Sequence, residues 1–122
     1  MKITRLATQI TASLLLLFSI QVSGHSQEEV PKTTAEARKQ FEEADAELNK
    51  VYVQASLGEI VQSQTSLQEA QRLWIQCRDL TAEAYQKGET GRQWHKDNYY
   101  FFALTTLTRS RIKEIKALFS PD

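Results

Sequence analysis

The sequence has very little cysteine: Cys77 is the only one among 122 residues. A single cysteine cannot form an intrachain disulfide, so its thiol is either free or bridged to another chain. Cys77 falls on the same helical stripe as Trp74 and Thr81, at spacings of three and four. That position favours a small buried side chain over a reactive or redox-active thiol.

Histidine and glycine are also scarce, which excludes several kinds of chemistry. The two histidines, His25 and His95, stand at no metal-ligand spacing with each other or with Cys77. The sequence contains no glycine-rich phosphate loop, no Ser-His-Asp order and no pair of carboxylates in apolar surroundings. We therefore predict that the protein is not an enzyme and has no catalytic, cofactor-binding or metal-binding residues. One alternative is that processing makes His25 the first residue, which could then chelate copper together with His95.

Long apolar runs are absent, since the longest covers about residues 12–20 and spanning a bilayer takes roughly 20 residues. This run follows a positively charged start and precedes small residues that end at Gly24. The layout is that of a secretory signal peptide over residues 1–24, with cleavage after Gly24 or after Ser26. No cysteine follows directly to carry a lipid. We therefore predict a periplasmic or secreted protein that has no membrane anchor after cleavage.

Neither sign of charge dominates the chain, which has 15 basic and 15 acidic residues. Without Lys2 and Arg5 the remainder has 13 basic and 15 acidic residues. This slight acidic excess argues against a nucleic-acid partner, which favours a basic face. Acidic residues gather over residues 25–47 and basic ones over residues 109–116. The pattern favours solvated helix faces, and the alternative is an acidic surface for a cationic protein.

Residues 25–33 form a polar leader without apolar periodicity, which we expect to be mobile. Thr33 followed by Glu36 is a capping-box pattern, and apolar residues then recur at steps of three and four. These features predict a first helix at about residues 34–57, with an extension to Ser63 left open.

Two further helices are predicted after the first. Ser66 with Glu69 starts the second, which should end at Lys87-Gly88 because glycine suits the left-handed residue beyond a helix end. A third helix follows at about residues 98–119, with Asp97 as its N-cap. Residues 34–120 therefore form one all-α domain, a small antiparallel three-helix bundle.

Several polar residues lie on the apolar faces of these helices. Gln71, Trp74 and Arg78 share one face of the second helix, and Asp45 and Asn49 sit one turn apart on the first. A buried arginine must be paired, since desolvating its charge is costly. We therefore expect Arg78 or Arg111 to reach a carboxylate, with Asn49 and Gln71 bridging helices and fixing their register.

Three segments combine apolar and polar helix positions: "ADAELNKVY" at 44–52, "LQEAQRLWIQCRD" at 67–79 and "LTTLTRSRIKEI" at 104–115. They resemble the LprI-like family of small exported helical domains, which is named for a lysozyme inhibitor. The second segment is the most specific, and the likeness covers about residues 41–118. We expect structural roles for the motif residues, which are Asp45, Leu48, Asn49, Tyr52, Gln71, Arg72, Trp74, Arg78, Asp79 and Arg111.

The chain departs from the family pattern at Ala82 and Ala103, where members typically carry cysteines. The resemblance implies that relatives have a bridge between the second and third helices, worth about 3–4 kcal/mol, which this chain lacks. The domain should therefore depend more on an aromatic core. Its expected members are Trp74, Tyr85, Trp94, Tyr100 and Phe101.

The resemblance implies a non-enzymatic domain that binds another protein, with a lysozyme-type muramidase as the leading candidate. The alternative is a structural or envelope-stress interaction module without lysozyme activity. The candidate partner-binding residues are acids that could form a rim and two residues of the 88–98 loop that could be inserted into a cleft. They are Glu36, Glu42, Glu43, Glu47, Arg92 and Trp94.

Overall fold

The computed structural model describes residues 28–90 and 96–119, which form three α-helices. Helix α1 spans Thr34–Leu57, α2 spans Val61–Thr90 and α3 spans Asp97–Phe119. No strand occurs in these two ranges, which confirms the predicted all-α class. Among the described residues, no helix is both long and apolar enough to cross a membrane. The predicted signal peptide lies outside the described residues.

Helix α1 has the limits that the sequence predicts. Thr33 is extended, with φ −119° and ψ 148°, and its Oγ1 accepts a hydrogen bond from the backbone N–H of Glu36 at 3.2 Å. This bond satisfies one of the free donors in the first turn. The helix ends at Leu57, where the N–H of Gly58 bonds to the carbonyl of Ser56.

Helix α2 is longer at both ends than predicted. It begins at Val61 rather than near Ser66, because the Gln64 side-chain amide donates to the carbonyls of Ser56 at 2.8 Å and Glu59 at 3.1 Å. These bonds hold the short turn between the first two helices. At the other end α2 continues through Gly88, where an added Cβ would meet nothing within 4 Å. A single helical glycine costs only about 1 kcal/mol, so it does not end this helix.

Helix α3 begins one residue earlier than predicted, so Asp97 lies in its first turn and is not its N-cap. A carboxylate there interacts favourably with the helix dipole. The segment before α1 packs alongside, because Asn98 donates a hydrogen bond to the carbonyl of the buried Pro31 at 3.1 Å. Arg109 also pairs with Glu28 at 2.9 Å. Both contacts lie within the predicted leader.

The helices form an up-down-up bundle, as predicted. Helices α1 and α3 run in the same direction, since the start of α1 meets α3 at Asn98 and its later turns meet α3 at Lys116. Helix α2 runs the other way, with Gln71 against Arg111 and Gln86 against the start of α3. Helix α3 makes most of the contacts between helices, and α1 and α2 touch little. Only a few side chains therefore connect α1 directly to α2.

The core consists of two clusters stacked along the bundle axis. The cluster near the α1–α2 turn contains Leu48, Val51, Ala55, Leu67, Ile112 and Ile115, with Tyr52, Trp74 and Phe119 at its margin. The cluster at the other end contains Ala82, Ala103 and Leu104, with Phe41, Tyr85, Tyr100 and Phe101 around it. The second cluster has small aliphatic residues at its centre and aromatic rings outside.

Candidate functional site

Arg78 lies between the two core clusters and joins α2 to α1. Its side chain is only 9% exposed. Nη1 donates to Asp45 of α1 at 3.3 Å, and Nε donates to the neighbouring Asp79 at 2.9 Å. The guanidinium carbon lies 5.2 Å from the ring centre of Phe41 and 5.3 Å from that of Trp74. The charge is therefore both paired and stacked, as burial of an arginine requires.

Arg111 makes the matching connection from α3. Its Nε donates to the Oε1 of buried Gln71 at 3.0 Å, and its guanidinium carbon lies 5.6 Å from the centre of the Trp74 ring. It also pairs with Glu114 one turn later. Trp74 therefore contacts two guanidinium groups. We call the set of Asp45, Gln71, Trp74, Arg78 and Arg111 the arginine–tryptophan layer.

The remaining motif residues lie in different environments. Leu48 is fully buried in the first cluster, and Tyr52 packs at its margin. Asn49 is exposed beside Lys50, rather than between helices. Arg72 is exposed as well, so the motif contains both core and surface positions.

Arg72 forms a local ion pair with Glu69, at 2.6 Å between Nη2 and Oε1. The hydrogen bond from Arg72 lowers the pKa of the Glu69 carboxyl, and the same bond raises the pKa of Arg72. Both side chains are on the surface, where such pairs contribute little to stability. The adjacent residues Arg72 and Trp74 therefore have different environments.

The four candidate acids lie on the exposed surface of α1. Glu36, Glu43 and Glu47 are spaced by seven and four residues, which places them along one line of the helix, while Glu42 lies about 120° around it. Glu47 is 3.6 Å from Lys116 of α3, so part of its charge is balanced. We call Glu36, Glu43 and Glu47 the acidic strip.

The candidate loop is shorter than the sequence predicts. Residues 88–90 belong to α2, and α3 begins at Asp97. Arg92 and Trp94 lie outside the described residues, as does His95.

Cys77 is exposed, so the prediction that its side chain is buried is wrong. Its Sγ lies 3.9 Å from Oγ1 of Thr81, which is exposed as well. Arg78 and Ala82 occupy the buried positions instead. The buried face of α2 lies roughly 100° from the position of Cys77, the rotation of one helical residue.

Sequence reasoning missed two features. Phe41 covers the Arg78 guanidinium, and nothing in the sequence pairs these two residues. Leu73 and Leu80 of α2 are exposed, at 50% and 66%. Their spacing of seven, with Cys77 between them, is a signal that the sequence does contain.

The described surface has no group of three or more His, Cys, Asp or Glu residues that could hold a metal ion. One concave feature of this surface is a groove of about 550 Å³ between the start of α2 and the end of α3. Ile60, Leu67, Leu118 and Phe119 line it, with Arg111. Its walls are mainly apolar, which suits contact with another macromolecule more than catalysis.

Comparison with known proteins gives one family match. The model of the family described as "Lysozyme inhibitor LprI" matches residues 23–115, which is most of the chain. No curated protein and no solved structure matches the chain. The match includes the whole arginine–tryptophan layer and confirms the resemblance seen in the three sequence segments. The chain therefore belongs to the LprI lysozyme inhibitor family.

Proposed function

We propose that this protein is an exported, non-enzymatic binding domain that inhibits lysozyme-type muramidases. The observation that carries the proposal is the family match over residues 23–115. The helical bundle supports it, because its described residues offer charged and apolar surfaces. An inhibitor needs such surfaces, and it needs no reaction centre of its own.

Export is supported by the start of the sequence. Residues 1–24 have the charged, apolar and small-residue regions of a signal peptide. The family match begins at residue 23, next to the expected cleavage site. Export would bring the domain to the compartment where lysozymes attack the cell wall.

The acidic strip suits a basic partner. Many lysozymes are strongly basic, and their clefts use carboxylates to cleave glycosidic bonds. Exposed acids on one line of α1 would attract such a protein and orient it during encounter. Glu36 and Glu43 are the main candidates, because Lys116 already balances part of the charge of Glu47.

The segment that follows α2 is the candidate for insertion into the cleft. Trp94 offers a large ring and Arg92 a planar cation, the two residue types that most often dominate protein interfaces. Rigid helices precede and follow the segment at Thr90 and Asp97. Such anchoring would reduce the entropic cost of ordering a short loop on binding.

The inhibitor proposal is tested by adding purified protein to lysozyme and following lysis of bacterial cell walls by turbidity. We expect stoichiometric protein to slow lysis by at least one lysozyme type. Unchanged lysis with several types, at protein in excess, would refute inhibition. The remaining function would then be a structural or envelope-stress interaction module.

The acidic strip is tested with the double variant Glu36→Lys/Glu43→Lys. We expect inhibition to weaken about tenfold, equivalent to 1.4 kcal/mol of binding, and the loss to shrink at high salt. Glu59→Lys, in the turn after α1, is the control for charge alone and should inhibit like the wild type. Equal losses in the two variants would show that the strip has no specific role.

The loop is tested with Trp94→Ala, for which we expect at least a tenfold loss of inhibition, or about 1.4 kcal/mol or more. Circular dichroism and the urea midpoint should stay unchanged if the ring acts only in binding. A variant that inhibits normally would remove Trp94 from the contact. A variant that is also less stable would place the ring in the core.

A further inference from the structure

The segment before α1, residues 28–33, is held against α3 at two points, and we call it the strap. The carbonyl of the buried Pro31 accepts a hydrogen bond from the side-chain amide of Asn98 at 3.1 Å. Both carboxylate oxygens of Glu28 accept from Nη1 of Arg109, at 2.9 and 3.0 Å. The family match includes the whole strap, which supports a part for it in the fold. The proposed lysozyme contact uses α1 and the loop, so it leaves the strap unexplained.

The strap lies outside the helices and is mostly open to solvent. Four of its six residues are exposed, namely Glu28, Glu29, Lys32 and Thr33, and only Pro31 is buried. The backbone of Thr33 is extended, with φ −119° and ψ 148°. Exposed, non-helical chain near a terminus is a preferred place for proteolytic cleavage. The strap therefore combines docking on α3 with the features of a protease substrate.

Lys32 gives the strap a cation that one class of protease recognises. Trypsin-type enzymes cut after Lys or Arg, because their specificity pocket contains an acid. They bind the substrate as an extended chain, so bonds inside helices resist them. Of the described Lys and Arg residues, all except Lys32 and Lys96 lie within helices.

The backbone of Lys96 is held in place, and that of Lys32 is not. The carbonyl of Lys96 accepts from Nε2 of Gln86 at 3.3 Å and from the N–H of Tyr99 at 3.3 Å. Within the described structure the backbone of Lys32 makes no hydrogen bond. The bond after Lys32 is therefore more accessible to a trypsin-type enzyme than the bond after Lys96.

We propose that the strap holds the starts of α1 and α3 together, and that the Lys32–Thr33 bond is a processing site at which a trypsin-type protease releases it. The reaction is hydrolysis of the amide. The C–N bond breaks, the hydroxyl of a water molecule goes to the Lys32 carbonyl carbon, and its proton goes to the Thr33 nitrogen. At neutral pH the products are a carboxylate at Lys32 and an ammonium group at Thr33. This role does not depend on lysozyme binding.

The docked strap protects this bond. Pro31 directly precedes Lys32, and its burial and its bond to Asn98 keep the chain on α3. A protease grips several residues on each side of the bond that it cuts, so the strap has to leave α3 first. A hydrogen bond, a buried proline ring and an exposed ion pair favour the docked strap by about ten- to a hundredfold. Local opening is therefore frequent, and the rate of cutting follows the open fraction.

Cutting makes the opening permanent. The released peptide has lost its covalent link to α1, and the few contacts of Glu28 and Pro31 are too weak to hold it at low concentration. The new ammonium group at Thr33 also places a positive charge at the start of α1, which opposes the helix dipole. Processing should therefore loosen the starts of α1 and α3 and leave the core cluster near the α1–α2 turn intact.

The first experiment is limited trypsin digestion of the native protein, with mass spectrometry to rank the bonds by their rate of cutting. We expect the Lys32–Thr33 bond to be cut faster than Lys96–Asp97 and faster than the bonds inside the three helices. Lys32→Gln should remain uncut at this position. A Lys32–Thr33 bond that stays intact in native protein, at a trypsin concentration that digests the urea-unfolded chain, would overturn the processing site.

The contacts that dock the strap are tested with Asn98→Ala/Arg109→Ala, which should be cut after Lys32 about tenfold faster than the wild type. Glu28→Gln removes only the ion pair and should give a smaller increase, about threefold. Lys113→Ala, one turn after Arg109 and also exposed, is the matched control and should be cut like the wild type. Equal rates in all four proteins would show that docking does not protect the bond and would refute this role of the strap.

Hydrogen exchange measures what the strap does for the fold. After trypsin has cut the native protein at Lys32, the amides of residues 100–103 in α3 should exchange about tenfold faster than before cutting. The amides of residues 71–74 in α2, which the strap does not contact, should keep their rates. Unchanged exchange at residues 100–103 after complete cutting would show that the strap does not hold the start of α3.

Discussion

The inner and outer faces of α2 reverse the usual arrangement of polar and apolar residues. The inner face carries Gln71 and Arg78, both buried, and the outer face carries Leu73 and Leu80, both exposed. On the inner face Arg78 donates to Asp45 of α1 and to Asp79, and Gln71 accepts from Arg111 of α3. Hydropathy alone therefore does not locate the core of this protein, since polar side chains that have hydrogen-bond or ion-pair partners are buried while leucines are exposed.

The reason for this reversal lies in the packing of α1 and α2. These helices touch little, and α3 makes most of the contacts in the bundle. Long side chains can fill the space that small aliphatic residues would leave open. Arg78 fills this space. Its guanidinium group pairs with Asp45 and lies over the rings of Phe41 and Trp74. We propose that the arginine–tryptophan layer fixes the register of α1 and α2.

The largest expected effect comes from adding a bridge on the inner face. Ala82 is fully buried and packs in one cluster with Ala103 of α3, while Ala84 faces outward. In a Cys77→Ser background, Ala82→Cys/Ala103→Cys should form a disulfide and raise the unfolding free energy by about 3 kcal/mol. Urea unfolding with and without reductant measures this difference.

The control for that bridge is Ala84→Cys/Ala103→Cys in the same background. Cysteines on opposite faces of α2 point apart, so this variant should keep two free thiols, which a thiol assay counts. A bridge in the control, or none in the test variant, would contradict the assignment of the two faces.

The next effect is the loss of a buried arginine. Arg78→Ala should lower the unfolding free energy by about 2–3 kcal/mol, because it removes two ring contacts and leaves Asp45 and Asp79 unpaired. Arg72→Ala, six residues earlier on the surface, should leave stability unchanged. Urea denaturation of both variants measures the contrast. Equal effects would mean that the layer does not hold the bundle together.

A smaller effect is expected at two threonines of α3. Thr108 is completely buried, and its Oγ1 has no hydrogen-bond partner within the described structure. Thr105 is also buried, but its Oγ1 donates to the carbonyl of Phe101 at 2.8 Å. Thr108→Val should therefore stabilise the protein by about 1 kcal/mol, and Thr105→Val should destabilise it by a similar amount.

Thermal melts of the two valine variants measure their opposite signs. Equal shifts of the melting temperature would indicate that both hydroxyl groups have the same hydrogen-bonding state. That result would contradict the difference between the two positions.

The smallest effect is a pH dependence at the aromatic end of the bundle. Burial raises the pKa of Tyr85, helped by the charge of Glu89, and burial raises that of Tyr100, helped by Asp79. The folded state therefore holds these protons more tightly than the unfolded state, in which tyrosines have a pKa of about 10. Their contribution to stability is complete below that pH and is lost as the pH rises through the folded pKa.

Urea midpoints measured across the alkaline range test this expectation. The wild type should lose stability as tyrosinate absorbance appears, and Tyr85→Phe/Tyr100→Phe should lose less over the same range. An identical pH profile for the two proteins would remove these tyrosines as the cause.

The sequence predicts the helices best where local signals agree. The Thr33 cap and the apolar residues at steps of three and four predict the limits of α1 correctly. The sequence also predicts that Arg78 or Arg111 pairs with a carboxylate, since a buried guanidinium needs one, and both arginines do so. The family resemblance rests on the three segments that contain Asp45, Arg78 and Arg111, and it is confirmed by the match over residues 23–115.

The sequence predicts less where a tertiary contact or a small rotation decides. Gln64 bonds back to the carbonyls of the turn, and this starts α2 earlier than the capping pattern at Ser66 predicts. Cys77 and Arg78 are adjacent, and the apolar pattern cannot decide which one turns inward. The contact between Phe41 and Arg78 joins two residues that are far apart in sequence. Such contacts depend on the geometry of the bundle and leave no local pattern.

The most direct test of the proposed function is calorimetric titration of a basic lysozyme with the purified protein. We predict a saturable heat that fits one binding site per chain and weakens with added salt, because the acidic strip contributes to the contact. Glu36→Lys/Glu43→Lys should reduce the affinity, and Leu80→Glu should not. No heat with several lysozyme types, measured at two temperatures, would contradict lysozyme binding as the function of this domain.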